Sequence, residues 1–130
     1  MMTFFRKILI PVFLAGMWIS FSEFFRNELL FKSFWVDHYR GMGLEFPSHP
    51  VNNALWGAWA FLFAALILII SKKFSLIHTT LLAWLGGFVL MWVVTGNMGV
   101  LPFQILYAAV PLSLLETFLA AWICQRMGDR

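Results

Sequence analysis

The sequence predicts an all-α integral membrane protein: one domain, a bundle of four transmembrane helices, with both termini in the cytoplasm and an interfacial aromatic segment between the first and second helices. Three observations predict it. Of 130 residues, 62% are hydrophobic and only 12% charged, a balance far from that of soluble domains; a soluble domain of this size has too much surface for its volume to hide so many Leu, Phe and Trp side chains. Four apolar runs approach the roughly 20 residues a helix needs to cross a bilayer. Lys and Arg gather in short clusters beside those runs, where they act as topology signals.

The first helix is expected over about residues 8–30. Arg6 and Lys7 followed by "ILIPVFLAGMWISF" have the outline of a signal peptide, with "SFS" before Glu23 as a cleavage site. Trp18, and the continuation into "EFFRNELLF" without a small-residue ending, read instead as a retained first span.

An outer segment, about residues 31–53, follows. "LLFKSFWVDHYRGMGLEFPSHPVNN" mixes aromatic and charged residues in a pattern suited to the headgroup zone, with Phe31, Phe34 and Trp35 on lipid and Lys32, Asp37 and Arg40 in water. Gly41 and Gly43 end its helical part, and Pro47 and Pro50 keep the remainder extended. His38 beside Asp37, and His49 four residues after Glu45, lack the spacing of a metal motif and read as a solvated polar rim. No metal and no cofactor is expected.

The second helix, about 54–70, stops at Lys72 and Lys73. The third, about 76–97, begins near His78, an interfacial residue, and ends at the "TGNMGVLP" turn, where Gly, Asn and Pro break it. The fourth covers about 103–124. With the N-terminus inside, Arg6, Lys7, Lys72, Lys73, Arg126 and Arg130 are cytoplasmic, six of the nine basic residues; Arg26, Lys32 and Arg40 face out among Glu28, Asp37 and Glu45. Both termini are therefore expected inside, and size and compactness point to a bacterial cytoplasmic (inner) membrane. The small net charge of +3, without a polar and aromatic basic patch, argues against a nucleic-acid partner. The single cysteine, Cys124, rules out an internal disulfide and reads as a small packing residue.

Residues three and four apart share a helix face, and each span then shows one small or polar stripe. The stripes are Gly16, Ser20, Glu23 and Asn27 on the first helix; Asn53, Gly57, Ala60 and Ala64 on the second; Thr79, Ala83, Gly86, Leu90 and Asn97 on the third; and Ala109, Ser113, Glu116, Ala120 and Cys124 on the fourth. Small stripes permit close contact and bulky faces suit lipid, so the four stripes are expected to meet in a common interior. Ser20 with Glu23 and Ser113 with Glu116 repeat Ser-x-x-Glu. The two helices run in opposite directions, however, and the match is read as chance.

Glu116 is the focus. An ionisable side chain at a helix centre costs about 2.5–3.5 kcal/mol on insertion scales, and it persists by facing the interior and finding partners or by staying protonated. Counted from Phe103, Glu116 lies roughly 20 Å along its helix, in the inner half. Glu23 lies in the outer half beside Arg26, its local ion-pair partner, whereas Glu116 has only Ser113 nearby. Pro111, five residues earlier, frees a carbonyl and favours a kink. The binding candidates are thus Glu116, Ser113, Glu23, Ser20, Asn27, Asn53 and Asn97. Glu116 serves either as interhelical glue, bonding Ser20, Trp18 or a carbonyl, or as an acid that handles an ion, proton or ligand.

No nucleophile elbow, zinc-protease helix or phosphate loop is present. The sequence favours a non-catalytic accessory or interaction subunit of a larger membrane complex. An oligomeric ion, proton or small-solute transporter or channel using Glu116 is the alternative, and an intramembrane enzyme working through Glu23, Glu116 and the outer histidines a minor one. The expected partners are the lipid bilayer and either further copies of the chain or a larger complex.

Overall fold

Inside the apolar runs few side chains compete for the backbone, so amides pair along the chain and each run becomes a helix. The computed structural model describes residues 2–128; Arg130, counted above among the inner basic residues, lies outside the described residues. The helices are α1 (Met2–Leu30), α2 (Lys32–Gly41), α3 (Pro50–Ser71), α4 (Leu76–Asn97) and α5 (Phe103–Gly128). All but the short α2 are long and apolar enough to cross a membrane, and the described residues form no strand. The helices outrun the apolar stretches that mark them: α1 begins at Met2, α3 at Pro50, and α5 continues to Gly128. Their polar ends remain helical.

Local chemistry sets the boundaries. Phe31, at φ −112° and ψ 2°, breaks α1 from α2. Gly43 (φ +76°) and Gly99 (φ +78°) supply the left-handed turns after α2 and α4, a backbone region glycine enters without steric cost. Pro50 sits in the first turn of α3, where its missing N–H is not needed. Ser75 caps α4 by accepting from the His78 backbone N–H at 3.2 Å.

Pairs of contacts fix the packing. The α1–α5 pair is antiparallel: Trp18 and Arg26 meet Glu116, while Gly128 lies against Pro11 and the Lys7 carbonyl. On α3, Phe61 fills the space beside Gly16 of α1 and Phe63 the space beside Gly87 of α4. The Trp84 indole N–H of α4 donates to Ser113 of α5 at 2.9 Å. Helices α3 and α5 run parallel across the middle, with the Cys124 thiol 3.8 Å from the Ala64 carbonyl and Gly128 beside Leu68. Ala15, Ile19, Ala60, Ala64, Ile67, Ala83, Phe88, Ala120 and Ala121 form the buried centre. Alanines there let backbones approach, and the Trp59, Phe63, Phe88 and Trp92 rings, with neighbouring centroids 4.9–5.8 Å apart, fill the gap between α3 and α4.

Two expectations change. On α4 the buried face follows Thr79 and Ala83, but then passes to Gly87 and Phe88; Gly86, Leu90 and Asn97 are exposed. A π-helical turn at Leu85–Val89 is the cause: its wider hydrogen-bond step adds one residue and rotates everything after it. Asn53 likewise lies exposed at the start of α3.

The aromatic segment also packs differently. Phe31 is buried against Leu101, Ile105 and Ala109, with Phe34 and Trp35 on the same cluster. Phe46 returns onto Trp35 and Tyr39, and the His38 ring Nε2 meets the Gly99 carbonyl at 2.7 Å. These aromatics therefore cover the ends of α4 and α5 instead of spreading outward, because the break at Phe31 folds α2 back over the chain. We call this the cap end.

Candidate functional site

About one turn of α1 places Glu23, Arg26 and Asn27 within reach of one another, at the i, i+3 and i, i+4 spacings that share a helix face. Arg26 Nη2 lies 2.7 Å from Glu23 Oε1. The Asn27 amide donates to Glu23 Oε2 at 2.9 Å and to the Glu23 backbone carbonyl at 3.2 Å. From α5, Glu116 Oε1 accepts from Arg26 Nη1 at 3.1 Å. One guanidinium thus bridges two carboxylates carried by opposite helices, the planar fork geometry that suits arginine better than lysine.

The surroundings seal this cluster. Glu116 is fully buried, and Arg26 and Glu23 are 5% and 7% exposed. The Phe88 ring of α4 lies 5.3 Å from the guanidinium carbon, near enough for a cation–π contact. Trp18 Nε1 donates to the Glu116 backbone carbonyl at 2.9 Å. Ser22 and the Glu23 carboxyl also border the Glu116 side chain. Three polar atoms here, Glu23 Oε1, Glu116 Oε2 and Ser20 Oγ, are buried without a well-aligned hydrogen bond.

Helix irregularities converge on the same level. Arg26 lies in the π-helical turn Phe25–Leu30 and Phe88 in the turn Leu85–Val89. Pro111 stands inside α5, where its missing N–H removes one helical hydrogen bond. The seven candidate residues accordingly divide. Glu116, Glu23 and Asn27 come together, and Ser20 lies one turn before Glu23 with its hydroxyl unbonded. Ser113 turns away to α4, accepting from Trp84 and donating to the Val110 carbonyl at 3.0 Å. Asn53 and Asn97 are exposed and stand apart.

The depths predicted for the two acids also change. Glu23 and Glu116 share one level, since Arg26, one turn after Glu23, reaches both carboxylates. Arg26 is therefore a partner of both acids, and Glu116 is not confined to Ser113. Trp18 does reach Glu116, but at its backbone carbonyl. Phe88 and Trp84 carry no sequence signal beyond being aromatic residues on a helix.

Two positive charges cannot be counted in this cluster, only one, against two acids; the arrangement can tie α1 to α5 and can hold or exchange a cation or proton. No group of three or more His, Cys, Asp or Glu side chains that could hold a metal occurs among the described residues. At the cap end, Phe34, Asp37, His38, Gly41, Met42 and Gln104 line an open depression of about 560 Å³. No family model matches the chain, and no curated protein or solved structure is significantly similar to it.

Proposed function

We propose that this chain is a multi-pass protein of a bacterial cytoplasmic membrane, a non-catalytic four-helix transmembrane bundle with both termini inside, acting as an accessory subunit of a larger membrane complex. The observation that carries this reading is the closure of its interior. Arg26 already engages both buried acids, Phe88 covers the guanidinium, and the level of Ala15, Ile19, Ala64 and Ile67 is filled by apolar side chains. An interior occupied by its own ion pairs and packing puts the working surface on the outside. Large apolar side chains stand there, among them Phe13, Leu62 and Val93, more than half exposed and suited to lipid or to a neighbouring helix.

Native mass spectrometry of the protein gently extracted from its own membranes tests this. A complex with a second protein in fixed ratio is the expected result, and a chain recovered only as monomer or homo-oligomer would overturn it. One observation favours a second reading, an oligomeric ion or solute carrier: an acid, Glu116, is fully buried at the centre of the bundle, and such groups mark ion and proton pathways. Glu116→Gln would then abolish solute movement into proteoliposomes without unfolding the protein.

A further inference from the structure

At the end of the bundle opposite the cap, an open groove of about 430 Å³ lies against α1. Its wall is made by apolar side chains of α1 from Phe5 to Leu14, and Phe61 of α3 closes its deeper end. Phe61 is held in place, since it fills the space beside Gly16 and its ring lies 6.2 Å from that of Phe13. From Phe5 to Leu14, at about 1.5 Å per residue, the groove follows about 14 Å of helix. That is close to half of the roughly 30 Å hydrocarbon core of a bilayer. The groove is as deep as one leaflet's chains are long.

Its mouth is basic. Arg6 is exposed and lies in the same π-helical turn, Phe5–Leu9, as two residues of the wall. Gly128 of α5 lies beside both the Lys7 carbonyl and Leu68 of α3, which sets those two residues at one level. Lys72 stands one turn beyond Leu68. It follows Phe61 by eleven residues, about three full turns, and so falls on the same side of α3. Lys73 comes next. Among the described residues Arg6, Lys72 and Lys73 have no acid as partner: Glu23 and Glu116 share Arg26, Glu28 and Asp37 pair with Lys32 and Arg40, and Glu45 stands in the cap segment.

An apolar trough with an uncompensated cationic rim suits a ligand with one anionic head and one long apolar tail. We propose that this groove binds an anionic phospholipid, one acyl chain lying along Phe5–Leu14 against Phe61 and the phosphate held at Arg6 and Lys72. Long basic side chains lay their stems on apolar surface and carry the charge to the headgroup level, where anionic lipids attract them. The arginine offers paired N–H donors to two phosphate oxygens, and the lysine a point charge. A zwitterionic headgroup brings its own cation to the same rim and loses that attraction. An apolar helix laid in the groove would cover the wall and leave the rim without a counter-charge. The proposal goes beyond the accessory reading and holds whichever end of the bundle faces the cytoplasm.

Native mass spectrometry of the purified protein in detergent tests it, with phosphatidylglycerol or phosphatidylcholine of the same acyl chains titrated in. The expected result is one phosphatidylglycerol retained per chain, bound more tightly than phosphatidylcholine. Arg6→Gln and Lys72→Gln are each expected to weaken phosphatidylglycerol binding about fivefold, and together to bring it down to the level of phosphatidylcholine. Leu9→Trp sets a ring in the groove from a half-exposed position, leaves the charges in place, and is expected to weaken both lipids. Lys32→Gln, at the cap end, changes neither. Equal binding of the two lipids by the wild-type protein overturns the proposal, as does a preference that survives the double variant. Undiminished binding in Leu9→Trp also overturns it, by reducing the site to a charged surface. So does a dimer that takes up no added lipid, which would put a second copy in the groove. Should the double variant or Leu9→Trp not fold, the wild-type comparison and Arg6→Gln, at an exposed position, still decide.

Discussion

Arg26 and Glu116, ninety positions apart in the chain, meet at 3.1 Å between the first and last long helices. Because Arg26 also holds Glu23, the contact is a junction rather than a pair. Its energetic role follows from what each deletion leaves behind.

Arg26→Met leaves two acids in the interior with no positive partner. Breaking a buried ion pair by removing one side costs about 3–5 kcal/mol, and a loss of that size is expected in unfolding by a denaturing-detergent titration. The triple change Glu23→Gln, Arg26→Met and Glu116→Gln removes the charges together and is expected to recover most of the loss. If the triple variant were as unstable as the single one, the junction would matter for shape and not for charge.

Gly86 and Gly87 should respond in opposite ways to alanine. A Cβ on Gly87 falls 2.5 Å from the Phe63 ring, which stacks on Trp59 and cannot easily withdraw, whereas one on Gly86 meets open space. Gly87→Ala is expected to cost about 1–3 kcal/mol by overpacking, and Gly86→Ala to fall within about 0.5 kcal/mol of wild type. Thermal denaturation in detergent compares them directly. Equal effects at both positions would mean that the wide turn does not set the face of α4 as described.

Trp84 and Ser113 give a cleaner measure of a polar contact between helices. A double-mutant cycle of Trp84→Phe and Ser113→Ala is expected to return a coupling of about 0.6 kcal/mol, with about 1.7 as the upper end for such bonds. A coupling indistinguishable from zero would show that the 2.9 Å contact is incidental to stability.

At the cap end, His38→Ala removes the link to the Gly99 carbonyl. Backbone hydrogen exchange should then quicken in α2 and in residues 95–102, while the centres of α1, α3 and α5 stay protected, since local opening follows local contacts. Faster exchange throughout would mean that the cap supports the whole packing and not merely its own docking.

How much of this was legible in the sequence differs from helix to helix. On α5 the small-residue spacing is informative, and Ala109, Ser113, Glu116, Ala120 and Cys124 all lie inside. Nothing interrupts the helical period there except Pro111, which costs a hydrogen bond without changing the register. On α4 the same spacing misleads after Ala83, because a regular period carries no notice of the wide turn that begins at Leu85. Glu116 could be singled out as a lone acid among apolar residues, but not its partner. Finding Arg26 required knowing how far α1 descends beside α5, and that depends on the fold-back at Phe31. The packing of Phe31, Phe34 and Trp35 onto Leu101, Ile105 and Ala109 was not legible for a related reason: alternating aromatic and charged residues suit a headgroup zone and suit an intramolecular lid equally well.

The turn at Leu85–Val89 has a consequence for the length of the chain. It accommodates one residue more than the packing of α4 requires, and Gly86, with nothing beside it, is the one that packing does not use. Removing Gly86 would let the stretch close into an ordinary helix, with Ala83, Gly87 and Phe88 still falling on one face. A helix interior normally forbids a change of length, because each residue lost turns all that follows by about 100°. Here the chain carries its own allowance, and a version one residue shorter at this point would keep the same neighbours throughout.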